Sequence, residues 1–341
     1  MAKRRSKWAI GILVLLLAAG MASVVVWREV MGPSARFSDD SRVLLIPTGS
    51  DIQTVVDSLL RIEAIHDVAA ARLLLERGSV KPGRYRVKKG MSLRSIARML
   101  HAGEQSPVRI TFSNVDHLPE LAGRLGRVLE SDSVAFLKAF MDPGQQRIAG
   151  LNDATMISLF LPNTYEFWWT TPPVQFVARM QQEHEAFWNS TRRQQAAALN
   201  LTPTEVSTLA SIVQAETVKM PDAPAIAGVY LNRLRIGMLL QADPTLKFAL
   251  GLDTVQRVLN RDKEVNSPYN TYRNTGLPPG PINMPEPRFI DAVLSAQKHD
   301  FFYFCARADL SGYSDFARTY EQHLVNARRY QKALNARKIY R

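Results

Sequence analysis

Hydrophobic positions along this chain change their spacing several times, and each change marks an element. Val43-Leu44-Leu45-Ile46 is a short apolar run that predicts a strand, closed by a turn at Pro47-Thr48-Gly49-Ser50. Asp51 can then cap a helix carrying Ile52, Val55, Val56 and Leu59 on one face. The same order returns 41 residues later: Tyr85 and Val87 alternate, Gly90 matches Gly49, and Leu93, Ile96 and Leu100 match Ile52, Val55 and Leu59. Strand, glycine turn and helix in register predict one small βα module used twice. Between the copies Ala69 to Leu75 predicts a short helix, and Pro107 to Phe112 a returning strand.

From His117 to Asn200 the spacing is mainly helical, with breaks at Pro143-Gly144 and Pro172-Pro173. Inside it lies Leu161-Pro162-Asn163-Thr164-Tyr165-Glu166-Phe167-Trp168-Trp169, a carboxylate followed by aromatics. Flat rings beside a carboxylate suit a sugar site, and they equally suit a core strand whose Glu pairs with an Arg. The next helix opens with Thr202 as cap, Pro203 at its first position and Glu205 completing a capping box. Leu209, Ile212 and Val213 define its apolar stripe, and the next position on that stripe is Glu216. A carboxylate that stands where a core residue is due holds its proton unless it is paired. Such a Glu is a candidate general acid; the alternative is a solvated helix end, or a pair with Arg233 or Arg235.

After that helix, Asp222 can cap another that carries Ile226, Val229, Tyr230 and Leu234, and Asp243 before Pro244 again reads as cap and first position. Ser267 to Tyr272 and Gly276 to Ile282, dense in proline, predict a stiff and defined loop. A helix over about 288–297, a strand over Phe301 to Cys305 and a basic helix from Arg318 complete the pattern.

Composition changes this picture little. With 46% hydrophobic and 22% charged residues in 341, the chain is globular and large enough for two domains. Its one cysteine, Cys305, rules out an intrachain disulfide and reads as a structural thiol in a buried strand. The net charge of +12 is scattered and accompanies no nucleic-acid motif, so an anionic surface or acidic polymer explains it without nucleic acid. The N-terminus adds more. Trp8 to Trp27 is twenty residues without a charge, preceded by Lys3, Arg4, Arg5 and Lys7. This predicts a single-pass transmembrane helix with a cytoplasmic N-terminus; a cleaved signal peptide is the rival, against which the apolar run is long.

Taken together, these segments resemble the endolytic murein transglycosylases, the MltG/YceG-like family. The resemblance rests on Leu161 to Phe167, on Leu209-Ala210-Ser211-Ile212-Val213 with Glu216-Thr217, and on Leu231-Asn232-Arg233-Leu234. It continues through Met238 to Thr245, Tyr269 to Tyr272 and Gly276 to Ile282. It implies an α+β chain: a cytoplasmic tail (1–7), a transmembrane helix (8–27), a linker (28–41), a small LysM-like βα module (42–113) and a larger, mainly helical catalytic domain with short strands (114–341). The chain would lie in the inner membrane with its catalytic domain periplasmic. Its partners would be peptidoglycan glycan strands, the membrane and, as candidates, peptidoglycan synthases.

The implied reaction cleaves the bond between N-acetylmuramic acid and N-acetylglucosamine, leaving a 1,6-anhydro end and ending strand growth. Glu216 matches the family's catalytic glutamate; Glu166, Gln241, Asp243, Asn270 and Tyr272 would hold the sugar; no metal or cofactor is implied. Many relatives have Glu where this chain has Gln214, which leaves Glu216 alone. The family's Gly-x-His-x-Phe reads Gly312-Tyr313-Ser314-Asp315-Phe316 here, so Tyr313 or Asp315 would take the place of the His. A hydrolytic muramidase using Glu166 or Asp243 as second carboxylate, and a non-catalytic wall-binding scaffold, are the competing readings. No zinc-protease, serine-elbow or phosphate-loop motif is present.

Overall fold

In the computed structural model, the described residues are 30–113, 115–251 and 259–337, with 13, 15–17, 19–21, 24, 27 and 28. The chain divides into two compact units: residues 1–110, 128–131 and 166–172 in the first, 111–127, 132–165 and 173–341 in the second.

In the first unit both strand–turn–helix copies form. Strand β1 (Ser41–Ile46) leads to helix α1 (Ile52–Arg61), helix α2 (Val68–Leu75) follows, and strand β2 (Gly83–Lys88) leads to α3 (Leu93–Ala102). The two strands pair antiparallel, from Ser41 opposite Lys88 to Ile46 opposite Gly83. Asp51 caps α1 by accepting from the Thr54 N–H, and Ser92 caps α3 by accepting from the Ser95 N–H. Gly49 and Gly90 have φ of 80° and 77°, which a Cβ would strain, so the matching glycines mark matching turns. Leu44, Ile46, Tyr85 and Val87 bury one sheet face against Val55, Leu59, Ile96 and Leu100. Strand β3 (Val108–Thr111) follows.

The second unit is mainly helical. Helices α4 (Leu118–Gly126), α5 (Ser133–Phe140) and α6 (Pro143–Ala149) precede strand β4 (Thr164–Phe167). Then come α7 (Pro173–Phe187), α8 (Ser190–Ala198), α9 (Pro203–Glu216), α10 (Ala223–Arg235), α11 (Asp243–Leu250) and α12 (Pro287–Leu294). The hairpin of β5 (Tyr303–Ala306) and β6 (Ser314–Ala317) and the helix α13 (Tyr320–Ala336) complete it.

Helix α9 is the centre of this unit. Every residue from Val206 to Val213 is buried, so the helix is enclosed on all sides rather than along one stripe. Small residues make that possible. Ser207, Ala210 and Ser211 let neighbours approach, and the hydroxyls of Ser207, Thr208 and Ser211 donate to the carbonyls of Pro203, Thr204 and Thr208 within the helix. The capping box at Thr202 and Glu205 forms as the motif dictates.

Some expectations are corrected. The transmembrane helix over 8–27 is not found: among the described residues, no helix is long and apolar enough to cross a membrane. Of that stretch, residues 8–12, 14, 18, 22, 23, 25 and 26 lie outside the described residues. Residues 1–12, with the expected cytoplasmic tail, lie outside the described residues. The membrane as partner and the inner-membrane, periplasmic placement fall with that helix. Cys305 is half-buried rather than buried, on a strand none of whose residues is fully buried.

Candidate functional site

Helix α9 ends at Glu216, and Thr217 after it is extended, with φ of −145°. The carboxyl group is thereby delivered to the end of a helix that is buried throughout from Val206 to Val213. It opens on a cavity of about 330 Å³ lined by Tyr230, Arg233, Gln241, Asp243 and Tyr272. Tyr303, Phe304, Tyr320 and His323 complete the lining.

Glu216 Oε1 accepts a hydrogen bond from the Tyr230 hydroxyl at 2.8 Å. The residue as a whole is half-buried, since part of its side chain faces the cavity, but its carboxyl group is largely desolvated. Desolvation is the main reason its pKa is pushed up from 4.5 to about 7. The Asp243 charge raises it further, while the Tyr230 hydrogen bond and the cations of Arg233 and Lys247 pull it down. Glu216 therefore carries its proton for much of the time at neutral pH and can also exist ionised.

Arg233 does not form the salt bridge with this carboxylate that the alternative to a general acid would require. Its Nε donates to Phe302 O at 2.7 Å and its Nη1 to Leu240 O at 2.5 Å, so the buried guanidinium joins two chain segments that wall the cavity. It also lies 5.3 Å from the Tyr303 ring centroid. Asn232 similarly donates to His299 O and Phe301 O. The motif Leu231-Asn232-Arg233-Leu234 thus ties α10 to the chain entering β5.

Of the expected sugar-holding residues, Gln241, Asp243 and Tyr272 line the same cavity as Glu216. Asp243 is the first residue of α11 and makes no cap; its Oδ1 accepts from the Tyr272 hydroxyl at 2.5 Å instead. Gln241 has φ of 50°, a left-handed conformation that costs a non-glycine residue about 1 kcal/mol or more and needs outside support. Thr271 supplies it. Its carbonyl accepts from Gln241 N, its hydroxyl accepts from Ala242 N at 3.0 Å, and that hydroxyl also bonds the Thr245 hydroxyl at 2.9 Å.

Asn270 and Glu166 stand elsewhere. Asn270 is fully buried; its amide donates to Lys263 O and Val265 O, and its Oδ1 accepts from Tyr272 N. It shapes the loop that presents Tyr272. Glu166 is exposed, lies 3.8 Å from Arg109 Nε and is not among the residues lining the cavity. Tyr313 lies under Lys219 and Arg307, and Asp315 pairs with Arg307 at 3.3 Å. Neither lines the cavity.

Sequence reasoning missed Tyr230, Tyr303, Tyr320 and His323. In the sequence Tyr230 counts only as one of the apolar positions of its helix, and Tyr303 lies in a run read as core. For Tyr230 and Tyr303 the one signal is a hydroxyl within an apolar run; Tyr320 and His323, on a helix with no buried residue, give none.

The charges around Glu216 make a signed prediction. Asp243→Asn removes a like charge, so the pH at which Glu216 ionises falls; Tyr230→Phe removes a bond to the ionised form, so it rises. In pH profiles of kcat/KM the loss of activity with rising pH is expected to begin earlier in the first variant and later in the second. Coincident profiles would show that these groups do not act on the titrating acid.

Comparison with known proteins agrees with the motifs. The chain is 26% identical over 326 residues to an endolytic murein transglycosylase of Bacillus subtilis (strain 168), covering 90% of each chain. It is 26% identical over 298 residues to an endolytic murein transglycosylase of Streptococcus pneumoniae, spanning 53% of that longer protein. A 2.6 Å crystal structure of a YceG-like protein from Listeria monocytogenes matches 84% of this chain and 99% of its own, with a TM-score of 0.58 and 26% identity. The model of the YceG-like family matches residues 44–329, and the chain belongs to that family, as its motifs led us to expect.

Proposed function

We propose that the Glu216 cavity cleaves peptidoglycan glycan strands between N-acetylmuramic acid and N-acetylglucosamine, leaving 1,6-anhydro-N-acetylmuramic ends. The coarser statement follows from the family and its named relatives: the chain is an endolytic murein transglycosylase, a lyase acting on peptidoglycan. One observation carries the finer reading: a single desolvated carboxyl group, bonded to Tyr230 and facing a cavity lined by polar and aromatic side chains.

Hydrolytic glycosidases place two carboxyl groups about the scissile bond. A lytic enzyme needs one, because the nucleophile is the sugar's own C6 hydroxyl, tethered near the anomeric carbon. Glu216, protonated, gives its proton to the bridging oxygen as the bond from the anomeric carbon to that oxygen breaks. Ionised by that transfer, it accepts the C6 hydroxyl proton as the C6 oxygen bonds the anomeric carbon. The proton count closes and Glu216 returns to its starting form. Gln241, Asp243 and Tyr272 hold sugar hydroxyls or N-acetyl groups beside it. On the same reading residues 42–113 are a LysM-like module that holds glycan, 114–341 are the catalytic domain, and mid-strand cutting ends the growth of a strand.

Asp243 shares the cavity with Glu216, and that keeps a hydrolytic muramidase as the second reading. Digestion of purified murein followed by mass spectrometry separates the two. Anhydro ends are expected; reducing ends would assign the hydrolytic reaction, with Asp243 as second carboxylate.

A further inference from the structure

The lining of the Glu216 cavity mixes two kinds of group. The carboxyl, amide, hydroxyl and guanidinium groups of Glu216, Asp243, Gln241, Tyr230, Tyr272 and Arg233 line it together with the rings of Tyr303, Phe304, Tyr320 and His323. Tyr303 and His323 lie 5.5 Å apart at 27°, and Tyr320 and His323 lie 6.1 Å apart at 28°. Tyr303 and Tyr320, at 5.8 Å, close the triangle.

A core cluster would hide these rings. Here Tyr320 remains 54% exposed, at the first position of α13, where the Thr319 hydroxyl caps the helix by accepting from Gln322 N. The His323 ring stacks instead of using its nitrogens fully: Nδ1 is buried with no hydrogen-bond partner. Burial and the nearby Arg233 hold its pKa below the ordinary value, so the ring is neutral at physiological pH and offers a π face rather than a cation. Arg233, fixed by two backbone carbonyls, supports Tyr303.

We propose that Tyr303, Tyr320 and His323 form the platform on which one pyranose of the glycan lies while the neighbouring glycosidic oxygen faces Glu216. A pyranose has apolar C–H faces and a rim of hydroxyls, and the aromatic faces with their negative quadrupole match the first. The polar groups of the same lining match the second. Helix α13, read from sequence as a solvated basic face, thereby becomes part of the substrate site through its first turn. The inference rests on the carbohydrate reading of the Glu216 cavity.

The test uses the full chain carrying Glu216→Gln, which binds without turnover, titrated calorimetrically with chitotetraose. Adding Tyr320→Ala is expected to weaken binding about tenfold, the effect of uncovering one apolar sugar face. Adding Tyr320→Phe, which keeps the ring, is expected to retain the parent affinity. Because Tyr320 is exposed, neither change threatens the fold, and matching thermal midpoints will confirm it. Equal affinity in the parent and the Tyr320→Ala variant overturns the platform, as does a parent that binds no chitotetraose. Failure of the wild-type chain to release product from murein would instead sink the catalytic reading.

Discussion

Glu216→Gln is expected to abolish product release from murein, lowering the rate by about 10³-fold or more, the range a positioned acid–base group supplies. The amide keeps the shape of the side chain and can still meet the Tyr230 hydroxyl, but it has no proton of suitable acidity to give. Since one group serves as acid and then as base, no partner remains to compensate. The same substitution has a second, opposite consequence for stability. The folded-state pKa of Glu216, about 7, lies above its ordinary value of 4.5, so the folded state holds this proton more tightly than the unfolded chain.

That contribution is fully present below pH 4.5 and is lost as pH rises towards 7, where the desolvated carboxyl ionises. Glu216→Gln does not ionise and escapes the loss. Discounted for the opening of the side chain to the cavity, the gain is about 1 kcal/mol above neutrality. It should appear as a thermal midpoint raised by roughly 2–4 °C at pH 8 and unchanged near pH 4.5. Catalysis lost and stability gained in one substitution is what a buried acid demands. A variant that still releases product would remove Glu216 from the mechanism, whatever its stability.

Gly280→Ala is expected to lower the thermal midpoint by roughly 10 °C and to reduce activity with it. Gly280 lies in the proline-dense loop from Gly276 to Ile282, and a Cβ there would run into the backbone carbonyl of Ala154. Backbone cannot swing aside as a flexible side chain can, so the loop itself must shift. The loop is also the outer brace of the acid's helix. Ile282 N donates to Ser211 Oγ at 3.0 Å, Asn283 Nδ2 donates to Ser211 O at 2.9 Å, and Glu286 N donates to Gln214 Oε1 at 2.7 Å. Displacing it loosens the last turns of α9 and moves Glu216. Thermal melts and murein digestion measured side by side check the link; an unchanged midpoint would mean that the close approach is not rigid.

Gln214 shows why part of the site was legible and part was not. Its identity made it unsuited to act as an acid, and that much is a property of one residue. Its use as a bracket between α9 and the chain entering α12 depends on contacts across about seventy positions. Asn270 carries the same lesson: an Asn in a loop motif reads as a ligand contact, and its burial turns it into the frame behind Tyr272. Asp243 ran the other way. It read as a cap, and the helix beginning one residue earlier than expected released its carboxylate to the cavity.

What one strand or turn of helix decides alone was written in the chain: the doubled strand–turn–helix unit, the capping box that starts α9, and a carboxylate arriving where an apolar residue was due. These follow from local geometry and from the penalty for burying charge, and neither needs distant residues. Tertiary structure alone decided that α9 is enclosed on every side, that Tyr230 rather than an arginine meets Glu216, and that rings from β5 and α13 close the cavity around it. Desolvation and ring stacking are collective: they depend on which segments pack together, and no spacing within a single segment encodes that choice.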